Sequence, residues 1–136
     1  GYHVHATVRD PSKKNKIQHL YDLADKSSGQ IQFFKADLLE SGSFDEAMQG
    51  CEIVIHTASP FVVTNYKDAV KDIIEPAVKG TENVLDSVNR TESVKRVVLT
   101  SSIASTYGDA VEIQNTANNE FDESHWNNTS SETHQP

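Results

Sequence analysis

The sequence has a single cysteine, Cys51, among 136 residues. An internal disulfide is therefore excluded, and the usage fits a reducing compartment. Cys51 follows Gly50 and precedes strand-like sequence, so it reads as a buried structural thiol rather than a nucleophile. No apolar run approaches the roughly 20 residues of a bilayer-spanning helix. The opening residues Gly1-Tyr2-His3-Val4-His5 lack the charged start and long apolar stretch of a secretion signal, so the expected location is the cytoplasm. The glycosylation-type triplets at Asn89, Asn127 and Asn128 then read as chance matches. Positive charge is short as well: 12 Lys and Arg against 20 Asp and Glu leave −8. That balance argues against nucleic acid or an anionic membrane surface as partner. An initiator Met is missing too, and the expectation is that the natural start lies upstream.

What is present is an alternation of strand-like and helix-like segments. Strands are expected at His3 to Val8, where His3, His5 and Thr7 alternate with apolar residues, and at Ile31 to Phe34, Ile53 to His56 and Val94 to Thr100. The last two are nearly continuous apolar runs, as in strands covered on both faces of a parallel sheet. A helix is expected over Lys13 to Ser27 after Pro11, with Ile17, Leu20, Tyr21 and Ala24 as its stripe. A short second helix carries Phe44, Ala47 and Met48, with Ser41 or Ser43 as cap and Gly50 as stop. A long third runs from Tyr66 to Asn89, turning Ala69, Val70, Ile73, Ile74, Ala77, Val84, Leu85 and Val88 inward and bending at Pro76 and Gly80. Such alternation calls for βαβ crossovers and a parallel α/β sheet in one domain. From Gly108 the periodicity dissolves into Asn, Thr, Ser and Glu, as in a surface loop or a disordered segment.

Chemistry gathers where strands end. Ligands of open α/β sheets bind beyond the carboxyl ends of the strands. Arg9 stands at the first such end, where a cation can hold a phosphate on an adenosine ribose, and Lys16 is two helical turns on. A solvated basic patch of Lys13, Lys14 and Lys16 is the plainer reading of those charges. At the second end, Asp37 can accept from an adenine amino group while Leu38 packs on the ring; equally, Asp37 can begin a turn. At the third, the small residues Thr57, Ala58 and Ser59 before Pro60 let backbone approach a ligand. At the fourth, Thr100, Ser101 and Ser102 bring three hydroxyls, of which one can orient a substrate carbonyl and any one can instead cap a helix. His3 and His5 share a strand face without an acidic or Cys partner at ligand spacing, so no metal is assigned.

Taken in order, Gly1 to Pro11, Ala36-Asp37-Leu38, Val54 to Pro60, Pro76 to Leu85, Arg96 to Ser102 and Phe121 to Asn127 resemble a known group. It is the dihydroflavonol reductase, cinnamoyl-CoA reductase and aldehyde reductase group of the extended short-chain dehydrogenases/reductases, within the NAD-dependent epimerase/dehydratase superfamily. The resemblance implies an incomplete Rossmann-like doubly wound parallel sheet and an NADP-dependent reductase of a small-molecule aldehyde or ketone. It implies Arg9 and Lys16 on the 2′-phosphate, Asp37 and Leu38 on adenine, and Thr57, Ala58 and Ser59 along the nicotinamide half. It also implies Thr100 and Ser101 beside the cofactor, Ser102 as the catalytic serine, and Tyr107 facing substrate where the plant enzymes have Asn. Residues 1–107 would then form a partial cofactor domain, and 108–136 a loop leading toward a Tyr-x-x-x-Lys helix.

Two family features do not occur. A Gly-x-x-Gly-x-x-Gly turn is expected upstream of Gly1, and the Tyr-x-x-x-Lys pair just after Pro136. Tyr107 cannot replace that tyrosine, because Val111 stands four residues on. The 136-residue piece is accordingly expected neither to fold stably nor to reduce anything alone, because its central strands would lack a neighbour. Two alternatives stay open: a non-catalytic dinucleotide-binding regulator, and an NAD-dependent nucleotide-sugar epimerase or dehydratase. Arg9 weighs against the latter, since an NAD enzyme favours an acidic residue there.

Overall fold

A computed structural model describes residues 1–60 and 66–134. The order is β1 (His3–Val8), α1 (Lys14–Asp25), β2 (Gln30–Lys35), α2 (Asp45–Met48), β3 (Ile53–His56), α3 (Glu75–Arg90) and β4 (Arg96–Leu99). β1 and β2 pair in parallel from His3 opposite Gln30 to Val8 opposite Lys35. β3 and β4 pair in parallel from Ile53 opposite Arg96 to His56 opposite Leu99. Parallel neighbours need crossovers; α1 provides the first and α3 the second.

The α/β reading with parallel strands holds, but the sheet is in two pieces. Among the described residues β1 pairs only with β2, and β3 only with β4. A cavity of about 160 Å³ lies between the two pairs, lined by His5 and Thr7 of β1 and by Ile53 to His56 of β3. The expectation that β3 is covered on both faces is corrected here. Ile53 and Ile55 are 58% and 67% exposed. Val54, on the opposite face, packs against the core of Ala36, Phe44, Met48 and Val84.

The helices depart from expectation at their ends. α1 begins at Lys14 rather than beside Pro11, because Asp10 first forms a turn by accepting from Ser12 N–H at 3.0 Å. Neither Ser41 nor Ser43 caps α2, whose N-cap is Phe44 without a side-chain bond. The Ser43 hydroxyl serves the preceding loop, donating to Asp37 C=O at 2.7 Å and accepting from Asp37 N–H at 3.1 Å. Gly50 does end the α2 region, at φ +75°, a backbone conformation that costs glycine little.

The long third helix is two unlike parts. Val70–Ile74 is a π-helical turn that passes into α3, with Pro76 in the first turn of α3, where its lost N–H costs least. Gly80 does not interrupt α3; it is buried within it. Ile74 and Leu85, expected inside, are 39% and 42% exposed. Beyond β4 the chain forms short 3₁₀ turns at Ile103–Ser105 and Ala110–Asn115, and Asn118 and Asn119 follow with positive φ of 61° and 53°. Residues 135 and 136 of the terminal segment lie outside the described residues.

Candidate functional site

The carboxyl ends of β1 and β2 and the residues after β3 meet around a cavity of about 520 Å³. Arg9, Asp37, Leu38, Ala58 and Ser59, expected from sequence as separate features, line it together. The Arg9 guanidinium has no ion pair among the described residues. Its neighbour Asp10 does not neutralise it. That carboxylate accepts from the Ser12 hydroxyl at 2.6 Å and lies 3.6 Å from the Lys13 amine. The Ser12 hydrogen bonds chiefly, and Lys13 secondarily, hold Asp10 below its usual carboxylate range. Lys16 sits on exposed α1 and is not among the residues lining this cavity.

Asp37 fulfils the turn reading, since its Oδ1 accepts from Leu39 N–H at 2.9 Å. The same residue also lines the cavity, so the two readings are compatible. Leu38 is fixed from behind by α3. Its carbonyl accepts from the buried Asn83 Nδ2 at 2.7 Å, and its side chain rests on Gly80. Sequence reasoning missed Asn83. A polar Asn three positions after a helical glycine, on the same helix face, was the available signal.

Thr57 lines the smaller cavity between the strand pairs, and Ala58 lines both. His5, Cys51 and His56 also face that smaller space. Cys51 Sγ lies 3.4 Å from His5 Nδ1 and 3.4 Å from Ala47 C=O, to which it donates. Burial raises the Cys51 thiol above its usual range, which keeps it protonated and poorly nucleophilic. Burial also lowers His56, favouring the neutral imidazole.

A third cavity, about 470 Å³, joins Ser101 and Ser102 to Phe121, Asp122, His125 and Trp126. Ser102 caps the 3₁₀ turn: its Oγ accepts from Ala104 N–H at 3.2 Å, so the hydroxyl hydrogen remains to be donated elsewhere. The capping role and an outward hydrogen bond coexist. Thr100 lines none of these three cavities; its N–H extends the ladder to His56 C=O at 3.0 Å. Tyr107 stands behind the wall, stacked on Phe121 with centroids 4.6 Å apart and planes at 10°. Asp122 is held below its usual range by Ser124 first and by His125 after it.

A guanidinium without an ion pair among the described residues, a carboxylate and an apolar side chain in one cavity suit a ligand with an anionic group, an N–H donor and a flat ring. Hydroxyls sit at the neighbouring strand end. The fold is that of a parallel α/β protein, with a candidate ligand cavity beyond its strand ends. The model of the NAD dependent epimerase/dehydratase family matches residues 1–131, and the chain belongs to that family. It is 55% identical over 104 residues to a cinnamoyl-CoA reductase of Medicago truncatula, covering 76% of this chain and 31% of that protein. It is 40% identical over 126 residues to a dihydroflavonol 4-reductase of Gerbera hybrida, covering 93% and 32%. The yeast methylglyoxal/isovaleraldehyde reductase complexed with NADPH superposes with a TM-score of 0.69 at 30% identity, covering 95% of this chain and 38% of that one. The chain thus spans about a third of the length of the curated relatives it matches. No helix among the described residues is long and apolar enough to cross a membrane.

Proposed function

We propose that the whole protein is an NADP-dependent reductase of a small aldehyde or ketone, and that this chain carries its adenosine-binding half and its carbonyl-orienting serine. The observation that carries the reading is the Arg9 guanidinium, without an ion pair among the described residues, in one cavity with Asp37 and Leu38. A cation there favours a phosphorylated ribose over a free one. Asp37 retains acceptor capacity for an adenine amino group, and Leu38 offers an apolar surface to the ring. Ala58 and Ser59 are exposed and small, leaving room for the rest of a dinucleotide. When bound, NADPH supplies the hydride. Lys16 adds charge near the phosphate from α1, and Thr57, Thr100 and Ser101 border the nicotinamide half.

Ser102 donates its hydroxyl to the substrate carbonyl and strengthens that bond as negative charge develops on oxygen. Tyr107 supports the substrate wall through Phe121. It lacks a lysine four residues on, so protonation of the alkoxide is not its task. Residues 1–107 act as the cofactor portion, and 108–136 form a segment flanking the substrate side. The 136 residues alone are inactive in this reading.

The test is cofactor preference. The full-length protein is titrated with NADPH and with NADH, with and without Arg9→Ala. The expected result is tighter NADPH binding that Arg9→Ala removes. Preference for NADH in the unaltered protein would overturn the reading in favour of an NAD-dependent epimerase or dehydratase. Cofactor binding without carbonyl reduction would favour a regulator.

A further inference from the structure

The Ser102 turn is held from the far side by a residue with no part in the reading above. Asn127 N–H donates to Ser105 C=O at 2.8 Å, and Asn127 Nδ2 donates to Ala104 C=O at 2.9 Å. Its own Oδ1 accepts from Thr129 N–H at 3.2 Å and Ser130 N–H at 3.0 Å, and Nδ2 also reaches Ser130 Oγ at 2.8 Å. All side-chain hydrogen-bonding directions of Asn127 are therefore engaged, and its rotamer is fixed. The residue is half-buried although it lies in a polar segment.

The contact point matters. Ala104 is the residue whose N–H sets the Ser102 hydroxyl, at 3.2 Å. Asn127 holds the carbonyl of that same residue. Ser105 closes the turn, its Oγ donating to Ser102 C=O at 2.6 Å, while its own carbonyl is the second Asn127 acceptor. Loss of the Asn127 side-chain donor frees the Ala104 carbonyl while the backbone bond to Ser105 C=O stays, and with Ala104 goes the direction in which the Ser102 hydrogen points. A hydrogen-bond donor to a developing oxyanion is sensitive to such displacement.

We infer that Asn127 is a positioning residue for Ser102, locking the Ala104–Ser105 backbone so that the serine hydroxyl aims into the cavity bordered by Ile103 and Trp126. The inference rests on the reading of Ser102 as the carbonyl-orienting group. It predicts a polarity requirement: position 127 must donate to Ala104 C=O.

The experiment uses the full-length protein and three variants, Ser102→Ala, Asn127→Ala and Asn127→Asp, assayed for kcat, KM and NADPH affinity. Asn127→Ala is expected to lower kcat about tenfold, the scale of one hydrogen bond, with NADPH affinity unchanged. Asn127→Asp keeps the shape and loses the donor at neutral pH, so its kcat falls similarly. As pH drops through the carboxyl's titration, the protonated acid donates again, and the ratio of its kcat to the unaltered protein's rises. A role in packing alone gives no such rise. A flat ratio, or kcat within twofold of normal in Asn127→Ala, overturns the inference while a dead Ser102→Ala leaves the function standing. If Ser102→Ala retains full kcat, both fall together. Should Asn127→Ala fail to fold, the pH ratio of the isosteric Asn127→Asp still decides.

Discussion

A methyl group placed on Gly80 would lie 3.2 Å from Leu38 Cβ, which puts the α3 glycine directly behind a residue lining the larger cavity at the ends of β1 and β2. Alanine stabilises a helix interior by about 1 kcal/mol over glycine. Crowding a packed site costs about 1–3 kcal/mol. Leu38 cannot swing away at Cβ, and its carbonyl is tied to Asn83. Gly80→Ala is therefore expected to lose up to about 2 kcal/mol and to weaken NADPH binding through a displaced Leu38. Urea unfolding and cofactor titration of the full-length protein check this. A higher urea midpoint with unchanged affinity would show that the loop yields freely.

The Arg90–Asp45 pair links the end of α3 to the start of α2 through Nη2 to Oδ1 at 2.8 Å and Nε to Oδ2 at 3.2 Å. Arg90 is the first cause, with Ser87 second, of a lowered Asp45 carboxyl. A carboxyl whose folded value is depressed adds stability above its unfolded value, 3.8 here, and loses it as pH falls through the lower folded value. Arg90→Ala is expected to lower the urea midpoint slightly at pH 7, and the gap from the unaltered protein should close below about pH 4. The pair is about half exposed, so solvent screening keeps the effect small. A gap that does not narrow at all as pH falls below about 4 would mean that the arginine's alkyl stem matters more than its charge.

The parts of the fold that follow a period were legible in the chain itself. β1 and β3 fall where alternation or a continuous apolar run places them; Arg9 and Asp37 come together because they follow paired parallel strands, and Ser59 meets them from the end of β3 in the other pair. Two features were not legible, for different reasons. Gly80 looks like a helix breaker in isolation, and only the approach of Leu38 explains why a helix keeps it. Asn127 bonds to Ala104 across 23 positions in a segment without periodicity, and such a contact leaves no local trace. The separation of the strand pairs was visible only as an expectation about a neighbour. Its physical sign is the exposure of Ile53 and Ile55.

His56 offers a pH test of burial. Desolvation lowers its folded value beneath the ordinary 6.5. Below 6.5 the unfolded chain takes up a proton that the folded chain refuses, so stability falls with pH until the lower folded value is passed. His56→Gln is expected to flatten that part of the stability profile between pH 7 and 5. The measurement is the difference in urea midpoint between the two proteins at several pH values. A constant difference would mean that His56 is hydrated enough to titrate normally in the folded state.

Arg9 and Lys16 are not equivalent in this structure. Both are exposed, but Arg9 lines the cavity and has no ion pair among the described residues, whereas Lys16 on α1 lies outside the lining. A charged hydrogen bond is worth about 1.5–3 kcal/mol, or roughly 10- to 100-fold in affinity. Arg9→Ala should weaken NADPH binding by that factor while leaving NADH binding nearly unchanged. Lys16→Ala should cost only a few-fold, and its effect should shrink as salt is raised, because a solvated amine acts on the phosphate through screened space. Equal losses for the two variants at high salt would require α1 to swing toward the cavity when the nucleotide binds. In that case Lys16 is a direct phosphate ligand, and the resting position of α1 describes only the unliganded state.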